Sequence, residues 1–139
     1  MSAEQFQAAH ELFLVWTDHL RSAARRLPKL EPAQREELVA EIVAFLREEV
    51  EPHMRVDEQV LYPTTAGRLG TQLVTAAIAY DHRAIRRWIA RLAEAGPEDV
   101  ATLQELLYGL DALIRVHLWK EDELLVHPLG SATWPASGA

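Results

Sequence analysis

The chain has 139 residues, enough for one domain that buries an apolar core. Hydrophobic residues make up 49% of it and charged residues 25%, a globular composition that excludes an intrinsically disordered chain. The formal net charge of −7 disfavours nucleic-acid binding, and the absence of cysteine excludes disulfides and thiolate-based metal or catalytic sites.

A second set of exclusions concerns the cell compartment. No apolar run approaches the roughly 20 residues that a membrane-spanning helix needs, and the first residues lack the features of an export signal. The absence of cysteine fits the reducing cytoplasm. We therefore expect a soluble, cytoplasmic protein that binds neither membranes nor nucleic acids.

Helical periodicity dominates the chain, and proline and glycine fall where the periodic segments end. The pattern predicts helices over residues 3–27, 32–63 and about 72–95, with a fourth that begins at the next proline. No run of alternating β-branched residues indicates a strand. We expect an all-α, up-down-up-down antiparallel four-helix bundle over residues 1–129, followed by a flexible C-terminal tail over 130–139.

The apolar stripe of each predicted helix indicates which side chains face the interior. The predicted inward face of the first helix consists of Leu12, Trp16, His19, Ala23 and Leu27. His10 lies half a turn out of phase with His19, so we expect it to face solvent. His127 lies in the last turn of the fourth helix, where the helix dipole favours a cation. Neither His10 nor His127 is predicted to bind metal.

Two halves of the chain show the same arrangement of histidines and acids. The segment "DHLRSAARRL" at 18–27 aligns with "DHRAIRRWIARL" at 81–92, and a His-x-x-x-acid pair follows each segment at nearly the same distance. The pattern predicts an internal two-fold pseudo-repeat in which each half contributes one histidine and one such pair. The six residues are His19, His53, Asp57, His82, His117 and Glu121.

The four-residue spacing has a chemical meaning, because residues i and i+4 share one face of a helix. An imidazole nitrogen and a carboxylate oxygen so placed can bind one metal ion or two adjacent ions. A single pair of this kind is usually only a surface contact, but its duplication favours a metal site. Histidine and carboxylate without thiolate suit iron, manganese or zinc, and two bridging carboxylates in a bundle favour a dinuclear iron centre.

The motifs "DHLRSAARRL", "HMRVDEQVLYP", "DHRAIRRWIARL" and "HLWKEDELLVHP" resemble the hemerythrin-like, HHE cation-binding family over about residues 10–128. The resemblance implies a four-helix bundle that holds a non-haem di-iron centre. It also implies that the four histidines at positions 19, 53, 82 and 117 are terminal ligands, and that Asp57 and Glu121 are bridging ligands.

Two departures from the family pattern affect the expected site. Asp57 stands where the family usually has Glu, so the neighbouring Glu58 is an alternative bridging ligand. Arg86 stands one turn after His82, where oxygen-carrying members have a further histidine. This replacement disfavours simple oxygen carriage and predicts a more open site, at which Arg86 either stabilises negative charge on a bound oxidant or extends to solvent.

Two classes of function follow from the resemblance. The first is a di-iron protein that reacts with oxygen, hydrogen peroxide or nitric oxide in stress or redox handling. The second is a module that senses or binds metal or oxygen without turnover. The chain has no obvious motif for a protein partner in its last ten residues, which slightly favours the first class.

Overall fold

The computed structural model describes residues 3–126, and these residues are almost entirely helical, with no strand among them. His127 and the predicted tail lie outside the described residues. Four long helical segments account for the fold, in agreement with a helical bundle. No helix within 3–126 is long and apolar enough to cross a membrane. The α-helices are α1 (Ala3–Arg26), α2 (Pro32–Phe45), α3 (Glu51–Val56), α4 (Tyr62–Leu69), α5 (Leu73–Glu94) and α6 (Val100–Glu121).

The second long segment, residues 32–69, alternates α-helical and π-helical turns. One π turn, Leu46–Val50, precedes Pro52, and another, Asp57–Leu61, precedes Pro63. A proline ring clashes with the carbonyl four residues earlier, and the wider π turn accommodates it. The prediction that a proline ends this helix at residue 63 is therefore wrong. The helix ends instead at Gly70, whose φ of 68° is left-handed.

The π turns also shift which side chains face inward. A turn with five-residue hydrogen bonds advances the helix face by one residue relative to an α-helix. As a result Leu61 and Tyr62 are buried, whereas Val60 is exposed. A third π turn, Asp122–Val126, has the same effect at the end of α6, where Leu125 is buried and Leu124 is exposed.

The N-terminal part of α1 turns a different face inward from the predicted one, whereas Ala23 and Leu27 are buried as predicted. Its buried face follows Phe6, His10, Phe13, Thr17 and Leu20, spaced by three or four residues. Leu12 is 46% exposed, and both Trp16 and His19 are only partly buried. The expected solvent position of His10 is therefore wrong, because Phe6 and Phe13, which lie on the same stripe, pack into the interior.

Two apolar clusters make up the interior, and a layer of polar side chains separates them. A large cluster contains Phe13, Leu106 and other core residues, and a small one contains Phe6, Leu61, Tyr62 and their neighbours. Each long helical segment contributes residues to both clusters with a polar residue between them. In chain order these runs are Phe6, His10, Phe13; Met54, Asp57, Leu61; Ile78, His82, Ile85; and Leu118, Glu121, Leu125.

Candidate metal centre

The polar layer brings together two groups of donor atoms that could each hold a metal ion. The first comprises Asp57, His82, His117 and Glu121, and the second comprises His10, His53 and Glu121. Within each group the donor atoms lie within 4.8 Å of one another, and every side chain is buried. Glu121 belongs to both groups, so the two candidate sites are adjacent.

The four imidazoles meet in two pairs through their Nε2 atoms. His82 Nε2 lies 3.0 Å from His117 Nε2, and His10 Nε2 lies 3.2 Å from His53 Nε2. Each pair places two ring nitrogens of the same kind at hydrogen-bond distance. Such convergence of ring nitrogens is the arrangement that a shared cation would require.

Two carboxylates lie beside the imidazole pairs. Asp57 directs Oδ1 toward His53 Nε2 at 3.6 Å and Oδ2 toward His82 Nε2 at 3.8 Å. Glu121 Oε1 lies 2.9 Å from His117 Nε2 and 3.8 Å from His10 Nε2. Each carboxylate therefore lies next to one histidine of each pair, as a bridging ligand would.

The outer nitrogens of three of these imidazoles contact carboxylates. The Nδ1 atom of His82 lies 2.8 Å from Glu58, that of His117 lies 3.0 Å from Asp81, and that of His10 lies 2.9 Å from Asp122. In a neutral imidazole whose Nδ1–H donates a hydrogen bond to a carboxylate, the lone pair of Nε2 is directed into the centre. These outer carboxylates thus prepare the ring nitrogens for a metal ion.

Cations in turn contact two of the outer carboxylates. Lys120 donates to Asp81 at 2.9 Å, and Arg86 donates to Glu58 at 2.7 Å and to Glu51 at 2.9 Å. Burial alone would raise the pKa values of Asp81 and Glu58, but their bonds to these cations and to the histidines lower both pKa values overall. Asp81 and Glu58 therefore remain ionised at neutral pH.

The buried groups of the centre respond to one another electrostatically. Burial and the nearby charge of Glu121 raise the pKa of Asp57 well above its usual range. Burial also lowers the pKa of His53 to about 4, and the neighbouring His10 contributes to that shift. Burial disfavours the charged form of His117 too, but its contacts with Asp81 and Glu121 raise its pKa to about 9.

A metal ion fits this arrangement because Asp57 approaches two imidazoles but makes no hydrogen bond. Both of its carboxylate oxygens are buried without a hydrogen bond, and its side chain is fully buried. An unpaired buried carboxylate costs several kcal/mol after relaxation. A cation bound between Asp57 and the imidazoles would remove that cost, so the donor set is suited to a cation.

Tyr62 is a site residue that the sequence analysis missed. Its hydroxyl donates to Glu121 Oε2 at 3.3 Å and lies 3.1 Å from His82 Nε2. The π turn at Asp57–Leu61 puts Tyr62 five residues after Asp57 on the same interior face. A proline immediately after this tyrosine was a visible signal, but helical periodicity of 3.6 residues does not predict the shift.

Five of the six predicted ligands meet in the centre, and His19 does not. His19 lies on the partly exposed side of α1 next to Trp16, where its ring is 5.1 Å from the indole. His10, which is 2% exposed, occupies the interior position that was predicted for His19. Both histidines are in one helix, and the rotation of its buried face determines which of them reaches the interior.

The alternative bridging ligand Glu58 lies outside the donor groups. Its carboxylate is 34% exposed and binds the outer nitrogen of His82 and the guanidinium of Arg86. Asp122 similarly binds the outer nitrogen of His10. Arg86 pairs with Glu51 and Glu58, which explains its position without contact to a bound oxidant.

Comparison with protein families agrees with this geometry. The family model described as the hemerythrin HHE cation-binding domain matches residues 2–128. Neither a curated protein nor a solved structure is significantly similar to the chain. The match covers nearly the whole chain and includes every donor of the centre, and the chain therefore belongs to the hemerythrin HHE cation-binding family.

Proposed function

We propose that the centre holds two metal ions, preferably iron, and that the loaded protein reacts with oxygen, hydrogen peroxide or nitric oxide. The observation that carries this proposal is the convergence of two imidazole pairs on two shared carboxylates. The proposed ligands are His10, His53, Asp57, His82, His117 and Glu121. His10 here replaces His19 of the sequence analysis.

The number of ions follows from the shared acids. Glu121 is common to both donor groups, and the two oxygens of Asp57 face histidines of different pairs. One ion between His82 and His117 and a second between His10 and His53 would each have imidazole and carboxylate ligands. This supports a dinuclear site over a single ion.

Iron is the preferred ion on chemical grounds. Imidazole nitrogen with carboxylate oxygen suits iron, manganese and zinc, and paired carboxylates in helical bundles are typical of di-iron proteins. When bound, two ferrous ions would supply the two electrons that reduce hydrogen peroxide to two water molecules, with two added protons. Zinc or manganese would occupy the same ligands without changing their arrangement.

The surrounding side chains orient the imidazole ligands and exclude water from the donors. The outer carboxylates Glu58, Asp81 and Asp122 hold three imidazole rings in fixed tautomers. The apolar clusters on either side of the polar layer keep bulk water away from the donors. The hydroxyl of Tyr62 is placed to donate a hydrogen bond within the centre.

The antiparallel arrangement of the helices is part of the proposal. The polar residue of each segment is preceded by the small apolar cluster in the first and third segments, and by the large cluster in the second and fourth. Alternating chain direction would produce this alternation. We retain the internal pseudo-repeat, the single bundle over 1–129 and the cytoplasmic location as predictions.

Stopped-flow spectroscopy of the anaerobically iron-loaded protein tests the proposed reaction. We expect rapid oxidation when the protein is mixed with oxygen or with hydrogen peroxide. Reversible oxygen binding without oxidation would instead indicate carriage. A loaded protein inert to oxygen, peroxide and nitric oxide would refute the reaction and favour a sensing or binding module without turnover.

A further inference from the structure

A cavity of about 260 Å³ opens between α4 and α5, next to the candidate metal centre. Its lining is mostly small or apolar, and its size would admit several molecules as large as water. The residues that line it are Glu58, Tyr62, Pro63, Ala66, Gln72, Thr75, Ala76 and Ala79.

Two lining residues connect this cavity to the donor groups. Tyr62 is one of the lining residues, and its hydroxyl lies 3.1 Å from His82 Nε2 and donates to Glu121 Oε2 at 3.3 Å. Glu58 lines the cavity and contacts the other ring nitrogen of His82. Tyr62 and Glu58 therefore belong to the cavity lining and also contact donors of the centre.

Two larger cavities lack this connection. One of about 450 Å³ lies against α2 and the start of α6, and none of the proposed metal ligands lines it. Another of about 360 Å³ is lined by Arg47, Glu51, Arg55 and Arg86, which makes its walls strongly charged. The cavity beside Tyr62 combines three alanines in its lining with two residues, Glu58 and Tyr62, that contact donors of the centre.

We propose that this cavity is the access route by which small uncharged molecules, such as dioxygen, reach the metal centre, with Tyr62 as the last barrier. The alanines of the lining leave space for an apolar diatomic molecule. The route rests on the proposed function, because it matters only if the centre reacts with such molecules. It predicts discrimination against bulky oxidants.

Filling the cavity tests the route in the iron-loaded protein. Ala76 is exposed at the cavity, so Ala76→Trp should block it without disturbing the core. Ala44→Trp is the matched control, because Ala44 is also an exposed alanine but lines the 450 Å³ cavity. We expect Ala76→Trp to slow oxidation by dissolved oxygen roughly tenfold and Ala44→Trp to leave the rate unchanged.

A second measurement does not require metal. Dissolved oxygen is paramagnetic and speeds the relaxation of nuclei that it approaches. In the metal-free protein we expect larger relaxation enhancements at the methyl groups of Ala66 and Ala79 than at Ala23, which is fully buried in the large cluster. Ala76→Trp should abolish the excess, and Ala44→Trp should retain it.

Together, the oxidation rates and the relaxation measurements distinguish failure of the proposed route from failure of the proposed function. Equal oxidation rates in both tryptophan variants would overturn the route, as would an absence of excess relaxation at Ala66 and Ala79. An iron-loaded protein that never oxidises would refute the proposed reaction, and the relaxation arm would still decide whether oxygen reaches the cavity. Faster reaction of Tyr62→Ala with tert-butyl hydroperoxide would further support Tyr62 as the barrier.

Discussion

The polar layer and the large apolar cluster lie in the same interior, but they differ in whether they need a bound cation to stabilise the fold. Leu103, Leu106 and Leu110 are completely or almost completely buried among other apolar side chains, which stabilises the fold without any ligand. Asp57 is equally buried but has no hydrogen-bond partner for either oxygen. The comparison indicates that the apolar cluster holds the helices together, while the polar layer is destabilising until a cation binds it.

Of the changes considered, removal of metal should have the largest effect on the stability of the folded protein. Binding only to the folded state stabilises it by about 4 kcal/mol per ion at a free concentration roughly 1,000 times the dissociation constant. Chelation should therefore lower the midpoint of thermal unfolding markedly. Scanning calorimetry with and without a chelator checks this.

A matched substitution in the apolar cluster provides the control for metal removal. Leu106→Ala should reduce the free energy of unfolding by about 2–5 kcal/mol through the cavity that it leaves. The loss should be the same in the metal-bound and metal-free protein. If chelation left the unfolding midpoint unchanged, the polar layer would not be a metal site.

Two histidines of α1 provide the sharpest comparison within one element. His10→Ala should remove a ligand and lower the bound metal by up to about one ion per chain, because His10 belongs to the second donor group. His19→Ala should leave the metal content unchanged, because His19 lies on the partly exposed side of the helix. Elemental analysis of both variants decides which histidine is a ligand. Loss of metal from His19→Ala alone would restore the original prediction and contradict the structure.

Substitution of an outer carboxylate should have an intermediate effect, which we expect on metal affinity. Asp81→Asn removes the negative charge that binds the outer nitrogen of His117, so we expect metal affinity to fall about 10–100-fold. Competition with a chromophoric chelator measures this. Asp99→Asn is the control, because Asp99 caps the start of α6 by accepting from the backbone of Thr102, and it should leave affinity unchanged. Equal affinities for the two variants would exclude a supporting role for Asp81.

Substitution of Arg86 should have the smallest effect. Its side chain is 35% exposed and pairs with Glu51 and Glu58 instead of the buried donors. Arg86→Ala should change the free energy of unfolding by about 1 kcal/mol or less and leave metal stoichiometry intact. Urea unfolding and elemental analysis measure these quantities. A loss of both ions on this substitution would place Arg86 within the centre, contrary to its observed pairing.

Much of the centre was predictable because its spacing is local. The pairs His53 with Asp57 and His117 with Glu121 follow from one helical turn, and the family pattern includes His82. Local spacing could not predict whether His10 or His19 reaches the centre, because that depends on which stripe of α1 packs against the other helices. Aromatic residues on both stripes made the sequence ambiguous.

The irregular turns account for most of the remaining errors. Helix boundaries and interior faces were predicted on the assumption of 3.6 residues per turn, but π turns precede Pro52 and Pro63. Each π turn shifts the later side chains by one position. This shift brings Tyr62 into the centre and exposes Val60, which neither hydrophobicity nor proline alone would predict.

The stoichiometry of bound metal tests the central claim most directly. After anaerobic loading with ferrous iron and removal of the excess, elemental analysis should find about two ions per folded chain, as two adjacent donor groups in a bundle require. Circular dichroism of the same sample establishes that the helices are intact. A value near zero in the folded protein, with no visible absorption after oxidation, would contradict the account.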